Sequence, residues 1–185
     1  MKKLATVLVT AAAALAPLAP LGQAAHGATT AGHPGTQINC VVHWGIGAKH
    51  ADGMVTSKVL AVRAGGHRCF DRLVFDIGRG TAPGFRVRYV RHIIAEGSGK
   101  RLHVRGRARL LITILAPASL HFPASARNLV DVSGFRTFRQ VRGAGSFEGI
   151  TSVGLGVRAK LPFRVSVVHG PRAGSRLVID VADHK

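Results

Sequence analysis

From about residue 38 onward, apolar and polar side chains alternate with a period of two, and no segment sustains a helical period. Residues 58–63 alternate weakly. Residues 72–77 set Leu73, Phe75 and Ile77 on one face, with Arg72, Val74 and Asp76 opposite. Residues 85–90 alternate more cleanly: Phe85, Val87 and Tyr89 face one way, Arg86 and Arg88 the other. Residues 102–115 carry Arg105, Arg107 and Arg109 on one face, with Val104, Gly106, Ala108 and Leu110 on the other. The stretch 110–115 is apolar on nearly every position, as a central strand would be. Further strands are predicted at 135–141, 151–158, 163–168 and 176–181.

Turn chemistry joins these runs. Glu96-Gly97-Ser98-Gly99-Lys100 predicts a turn that pairs 85–94 with 102–115 as an antiparallel hairpin. Residues 143–146 and 169–175 supply turn residues between later strands. Residues 116–129 have room for one turn of helix at most, because Pro117 and Pro123 restrict the backbone. Eight or nine strands with turns between them predict an all-β domain, a sandwich or a barrel of antiparallel strands.

The N-terminus follows a different pattern. Lys2 and Lys3 precede an apolar run that Pro17 and Pro20 interrupt, and small residues follow at Gly22 and Ala24. This predicts a secretory signal peptide over residues 1–27 rather than a spanning helix, since the uninterrupted apolar stretch is shorter than the ~20 residues a span requires. Residues 28–37, rich in Ala, Thr, Gly and Pro, read as a flexible leader, and residues 38–185 as the folded domain. No other run is long enough to cross a bilayer, so the mature chain is expected to have no transmembrane segment. Export makes the only cysteine pair, Cys40 and Cys69, a predicted disulfide. A metal site using His67 or His43 is the alternative, but no CxxC pair supports it and no metal is expected.

Charge sharpens this picture. The 185 residues hold 26 Lys+Arg against 8 Asp+Glu, a formal net charge of +18 that falls to +16 once Lys2 and Lys3 are removed. Nineteen of the cations are arginine, and Glu96 and Glu148 are the only glutamates. If the predicted hairpin pairs in register, Arg86, Arg88, Arg105, Arg107 and Arg109 project from one sheet. Like charges so placed repel unless an anion sits among them, and guanidinium forks suit phosphate and carboxylate. A solvated outer face is the plainer reading of the same pattern. Nucleic acid is not expected as a partner. An exported chain rarely meets it, and single-strand binders stack bases on aromatics, in which this chain is poor. An acidic wall polymer or lipid head group fits better.

Catalytic signatures are missing. There is no GxSxG, HExxH, Walker loop or dinucleotide fingerprint, and no cofactor is expected. Ser146, His169 and Asp180 could be drawn into a triad without any local support. His92 and His103 flank the predicted hairpin turn and are candidates for sensing pH. Glu148 is expected to pair with an arginine such as Arg142.

The blocks Cys69-Phe70-Asp71-Arg72-Leu73-Val74-Phe75-Asp76, Phe85-Arg86-Val87-Arg88-Tyr89-Val90 and Gly97-Ser98-Gly99 resemble the AMIN-like domain family of secreted proteins from high-GC Gram-positive bacteria. So do Thr137-Phe138-Arg139-Gln140, Gly145-Ser146-Phe147-Glu148-Gly149, Leu161-Pro162-Phe163-Arg164-Val165 and Arg176-Leu177-Val178-Ile179-Asp180-Val181. The resemblance runs from about Trp44 to Asp183. It implies a single antiparallel β-sandwich related to AMIN domains, which target amidases and secretion machinery to the envelope and bind peptidoglycan. It supplies no catalytic residues. The chain ends where the sandwich ends, so no amidase domain is expected. The resulting expectation is an exported, non-catalytic, cell-wall-associated module that contacts peptidoglycan or an anionic glycopolymer through its arginine face. An accessory protein–protein interaction domain using a patch near Trp44 and Phe138 is a second reading, and a small hydrolase a third.

Overall fold

The structure, a computed structural model, describes residues 40–184; the signal peptide and leader expected over 1–37 lie outside the described residues. Eleven strands are present: β1 (Lys49–Ala51), β2 (Val59–Gly66), β3 (Phe70–Ile77), β4 (Phe85–Val90), β5 (Ile93–Ile94), β6 (Arg101–Leu102), β7 (Ala108–Ile114), β8 (Phe138–Phe147), β9 (Ile150–Val157), β10 (Phe163–His169) and β11 (Ser175–Ala182). They form a five-stranded sheet in the order β1-β4-β7-β9-β8 and a four-stranded sheet in the order β10-β11-β3-β2, with β5 and β6 as a separate small ribbon. Every strand pairing is antiparallel. The only helical element among the described residues is one 3-10 turn at Pro171–Ala173.

The period-two pattern explains the layers. In β3 the burial alternates strictly, with Leu73, Phe75 and Ile77 inside and Arg72, Val74 and Asp76 outside. In β4 Phe85 and Val87 are buried while Arg86 and Arg88 are exposed. The inward residues of both sheets meet in one core that includes Phe75, Leu110, Ile112, Phe138, Leu155, Phe163, Leu177 and Ile179. Removing that apolar surface from water is the main force holding the sheets face to face. Buried polar groups tie the layers together. Asp71 on β3 accepts hydrogen bonds from the backbone N–H of Thr137 at 2.5 Å and of Phe138 at 3.1 Å, at the start of β8 in the other sheet. Tyr89 donates its hydroxyl hydrogen to the Leu161 carbonyl at 2.7 Å and accepts from the Leu161 N–H at 2.9 Å. Burial pushes the Tyr89 phenol above its ordinary pKa, partly offset by the contact with Leu161. Cys40 and Cys69 form the expected disulfide.

Three expectations change in detail. The run expected as one strand at 102–115 is interrupted: β6 ends at Leu102 and β7 begins at Ala108. Gly106 causes the break, with φ +123, outside any strand conformation open to other residues. The glycines at 143–146 do not form a turn. They lie within β8, which shifts register between Gly143 and Gly145, and the chain reverses instead at Glu148 and Gly149. Both have positive φ, 47 and 79, as a two-residue hairpin turn requires. Glu148 is exposed there and forms no ion pair with Arg142, whose Nη1 donates to the His103 carbonyl at 2.9 Å. Residues 116–129 contain no helix.

The outer face of the four-stranded sheet is a charge ladder. Arg63 bonds Asp76 through two N–H groups at 2.9 and 3.0 Å, and Arg176 reaches the same carboxylate at 3.1 Å. Arg72 makes a two-pronged contact with Asp180 at 2.7 and 2.9 Å, and Arg164 joins it at 2.8 Å. The Arg63 hydrogen bonds, aided by Arg176, hold the Asp76 carboxyl below its ordinary pKa against the opposing effect of burial.

Two outcomes follow. Tyr89→Phe leaves the Leu161 N–H and carbonyl short of a partner, and should cost about 1–2 kcal/mol of folding free energy in a urea titration. Because the folded state lowers the Asp76 pKa, its contribution is present above about pH 4 and lost as pH falls through the folded value. Asp76→Asn should therefore lower the urea midpoint at neutral pH. The gap between variant and parent should shrink on acidification; a gap that widened would contradict the assignment.

Candidate functional site

The connection from β4 to β7, residues 91–107, governs where the arginines stand. It folds back over the outer face of the five-stranded sheet as the β5–β6 ribbon and buries a second small core of Ile93, Val104 and Ala144. Two glycines of β9 permit this. A Cβ on Gly154 would stand 2.8 Å from Ile93 Cγ1, and one on Gly156 would stand 1.7 Å from the Arg105 carbonyl oxygen. The tip is held by Glu96, which accepts the Ser152 hydroxyl at 2.6 Å and whose N–H donates to the Ala144 carbonyl at 2.6 Å. The far end is held by Gln140 of β8. Its side-chain oxygen accepts the Arg105 N–H at 2.8 Å, and its amide nitrogen donates to the Arg127 carbonyl and the Asn128 side-chain oxygen, both at 2.9 Å.

The five arginines singled out by the sequence therefore do not form one continuous stripe. Arg86 and Arg88 project from the outer side of β4, where Arg86 pairs with Thr113 and Arg88 with Leu111 across the ladder. Arg86 is partly neutralised by Asp52 at 3.2 Å, an exposed ion pair worth little. Arg109 lies opposite Val90 on the same face, and its Nε donates to the Val104 carbonyl at 3.1 Å. It lines a shallow depression of about 230 Å³ with Arg91, His92, Arg101, Leu102 and His103. Arg105 and Arg107 flank the Gly106 break, in a larger open depression of about 600 Å³ with Arg139, Arg158 and Ala159. Neither depression is lined by a carboxylate.

Arg91, Arg101, Arg139 and Arg158 complete these clusters and were missed on the sequence. Arg101 and Arg158 lie at the ends of runs already read as strands, but their convergence depends on the ribbon folding back. The one available signal was Gly106, whose place inside an arginine stripe marks a break. His92 and His103 come together in the smaller depression, as their flanking positions suggested. Partial desolvation, with the charges of Arg101, Arg91 and Arg109, holds the His92 imidazole below its ordinary pKa.

The other candidates disperse. Ser146 Oγ accepts the Ala118 N–H and contacts the Ile150 carbonyl and the Thr151 hydroxyl. Asp180 is held by Arg72 and Arg164 on the opposite sheet, so Ser146, His169 and Asp180 form no triad. Phe138 is buried and stacks on Phe135, so it makes no exposed patch with Trp44. Trp44 packs edge-on against Phe70 at 5.5 Å, beneath the Arg164 guanidinium at 4.4 Å. His67 stacks on Phe70. Among the described residues no group of three His, Cys, Asp or Glu side chains is placed to hold a metal ion, and no helix is long and apolar enough to cross a membrane.

The two basic depressions of this antiparallel sandwich are thus built around the folded-back connection. The chain belongs to the AMIN-like domain family, whose model matches residues 57–183. No curated protein matches it.

Gly156→Ala should force the 103–107 segment away from β9. We expect a loss of at least about 2 kcal/mol in a urea titration, as for other overpacked sites, and shifted amide resonances at 104–107. An unperturbed 104–107 segment would show that the close approach is not required.

Proposed function

We propose that this protein is an exported, non-catalytic cell-envelope module that holds peptidoglycan or an anionic wall glycopolymer through arginine side chains. The carrying observation is the pair of depressions lined by arginines without a carboxylate. On the four-stranded sheet, by contrast, each aspartate of the charge ladder is shared by two arginines. Unneutralised like charges raise the free energy of the folded state, and a bound polyanion lowers it again. Membership of the AMIN-like family supports an envelope-related role, and the Cys40–Cys69 disulfide supports an oxidising, extracellular setting. Of the arginines that line the two depressions, Arg91, Arg101, Arg105 and Arg107 are exposed and make no side-chain hydrogen bond among the described residues, so they are available to a ligand.

A second reading is an accessory protein–protein interaction domain. It draws on Trp44 and on the exposed Val167 and Val168 of β10, beside arginines already engaged by Asp180.

Sedimentation with purified walls, across a salt series, separates the two. Wall binding should weaken steeply as salt rises. Arg101→Gln, Arg105→Gln and Arg107→Gln together should weaken it at least about tenfold, or roughly 1.4 kcal/mol, with an unchanged circular dichroism spectrum. Salt-insensitive binding that instead depends on Trp44 would favour the interaction domain.

A further inference from the structure

We propose that the depression formed by Arg105, Arg107, Arg139 and Arg158 is a phosphate-binding site. The proposal rests on the envelope-binding reading for its biological source, but not for its chemistry. Four guanidinium side chains converge there, with only Gly106 and Ala159 completing the wall. Two of the four are braced. Arg139 Nη1 donates to the carbonyls of Phe138 at 2.8 Å and of Phe135 and Arg136 at 3.2 Å, and its Nη2 donates to Arg136 at 3.2 Å. Arg158 Nη2 donates to the Asp183 carbonyl. Backbone carbonyls orient these two groups without cancelling a full charge.

The other two stand on a segment placed by backbone contacts. The Arg105 N–H is fixed by Gln140, and Gly106 lies so close to Val157 that a Cβ there would come within 2.7 Å of its carbonyl oxygen. Asp131 lines the adjoining depression together with Arg105; the Ser133 N–H at 2.9 Å and hydroxyl at 3.1 Å hold its carboxylate there, and its charge partly offsets Arg105 alone. The cluster thus has oriented donors and a positive charge, with no carboxylate in its own lining and Asp131 offsetting Arg105 only from the adjoining depression.

Ligand geometry favours phosphate over carboxylate. A carboxylate presents two oxygens in one plane, and on the four-stranded sheet each one is shared by two arginines. Arginines lining the depression from β8, the residue after β9 and the 105–107 segment, with the donors that Arg139 and Arg158 do not spend on carbonyls, suit an acceptor with oxygens in several directions. A tetrahedral phosphate has that shape. The same group is found in a free phosphomonoester or within a phosphodiester-linked glycopolymer, and the site would accept it from either source.

The test titrates the full mature chain with glycerol phosphate, a short poly(glycerol phosphate), and acetate, all at matched ionic strength, following backbone and arginine side-chain resonances. Glycerol phosphate should shift the signals of 105–107, 139 and 158. Arg105→Gln with Arg107→Gln should weaken that binding at least about tenfold, whereas Arg86→Gln with Arg88→Gln should leave it unchanged. Should the first pair unfold the domain, Arg107→Gln alone should still weaken binding. Shifts spread over all basic surfaces, equal affinity for acetate, or an equal loss in the Arg86/Arg88 pair would overturn the site. Tighter binding of the polymer than of the monomer assigns the source to a wall polymer; the reverse assigns it to a free phosphomonoester, and either supports the site. Walls that bind while glycerol phosphate does not would remove the pocket and leave the envelope reading standing. Localised phosphate binding without wall binding would do the opposite.

Discussion

A side chain on Gly156 would place its Cβ 1.7 Å from the Arg105 carbonyl oxygen, and one on Gly154 would strike Ile93. The absence of those two side chains from the outer face of β9 lets the long β4–β7 connection lie flat on the five-stranded sheet. Much of the rest depends on that contact. The second small core forms under the ribbon, Glu96 reaches Ser152, and Gln140 receives the Arg105 N–H. Without it the outer face would be an ordinary solvated sheet. With it, the folded-back connection carries two basic depressions.

The arginines fall into two populations with different physical roles. On the four-stranded sheet they are shared between Asp76 and Asp180, and there they act as cross-strand ties among β10, β11, β3 and β2. Around the folded-back connection they are held by backbone carbonyls or by nothing, so their charge is left for solvent or a ligand. A chain with so few carboxylates cannot neutralise both faces.

Most of the strand positions were legible in the sequence, because burial on one face of a sheet writes itself directly as alternation. Residues 85–90 match β4 without adjustment, and 72–77 fall within β3. The glycines were harder to read. Gly143 and Gly145 looked like turn residues, yet they sit in β8 where the Ala124 carbonyl and Glu96 press against the backbone. Composition cannot separate a glycine needed for a reversal from one needed for close approach, since both require only that a side chain be missing. The arginine stripe failed for a related reason: Gly106 turns the backbone out of strand geometry, and alternation no longer predicts a shared face beyond it.

Local pattern therefore determined the class of fold, the cysteine pair, the position of the main hairpin and the excess of positive charge, all of which depend on neighbours in sequence. Arg105 and Arg107 were visible as candidates, but their companions Arg139 and Arg158 come from strand β8 and the residue following β9, more than thirty residues away along the chain. Only the tertiary structure could bring them together. Their convergence depends on a connection folding back over two glycines, a long-range steric fit that leaves no periodic trace in the residues it joins.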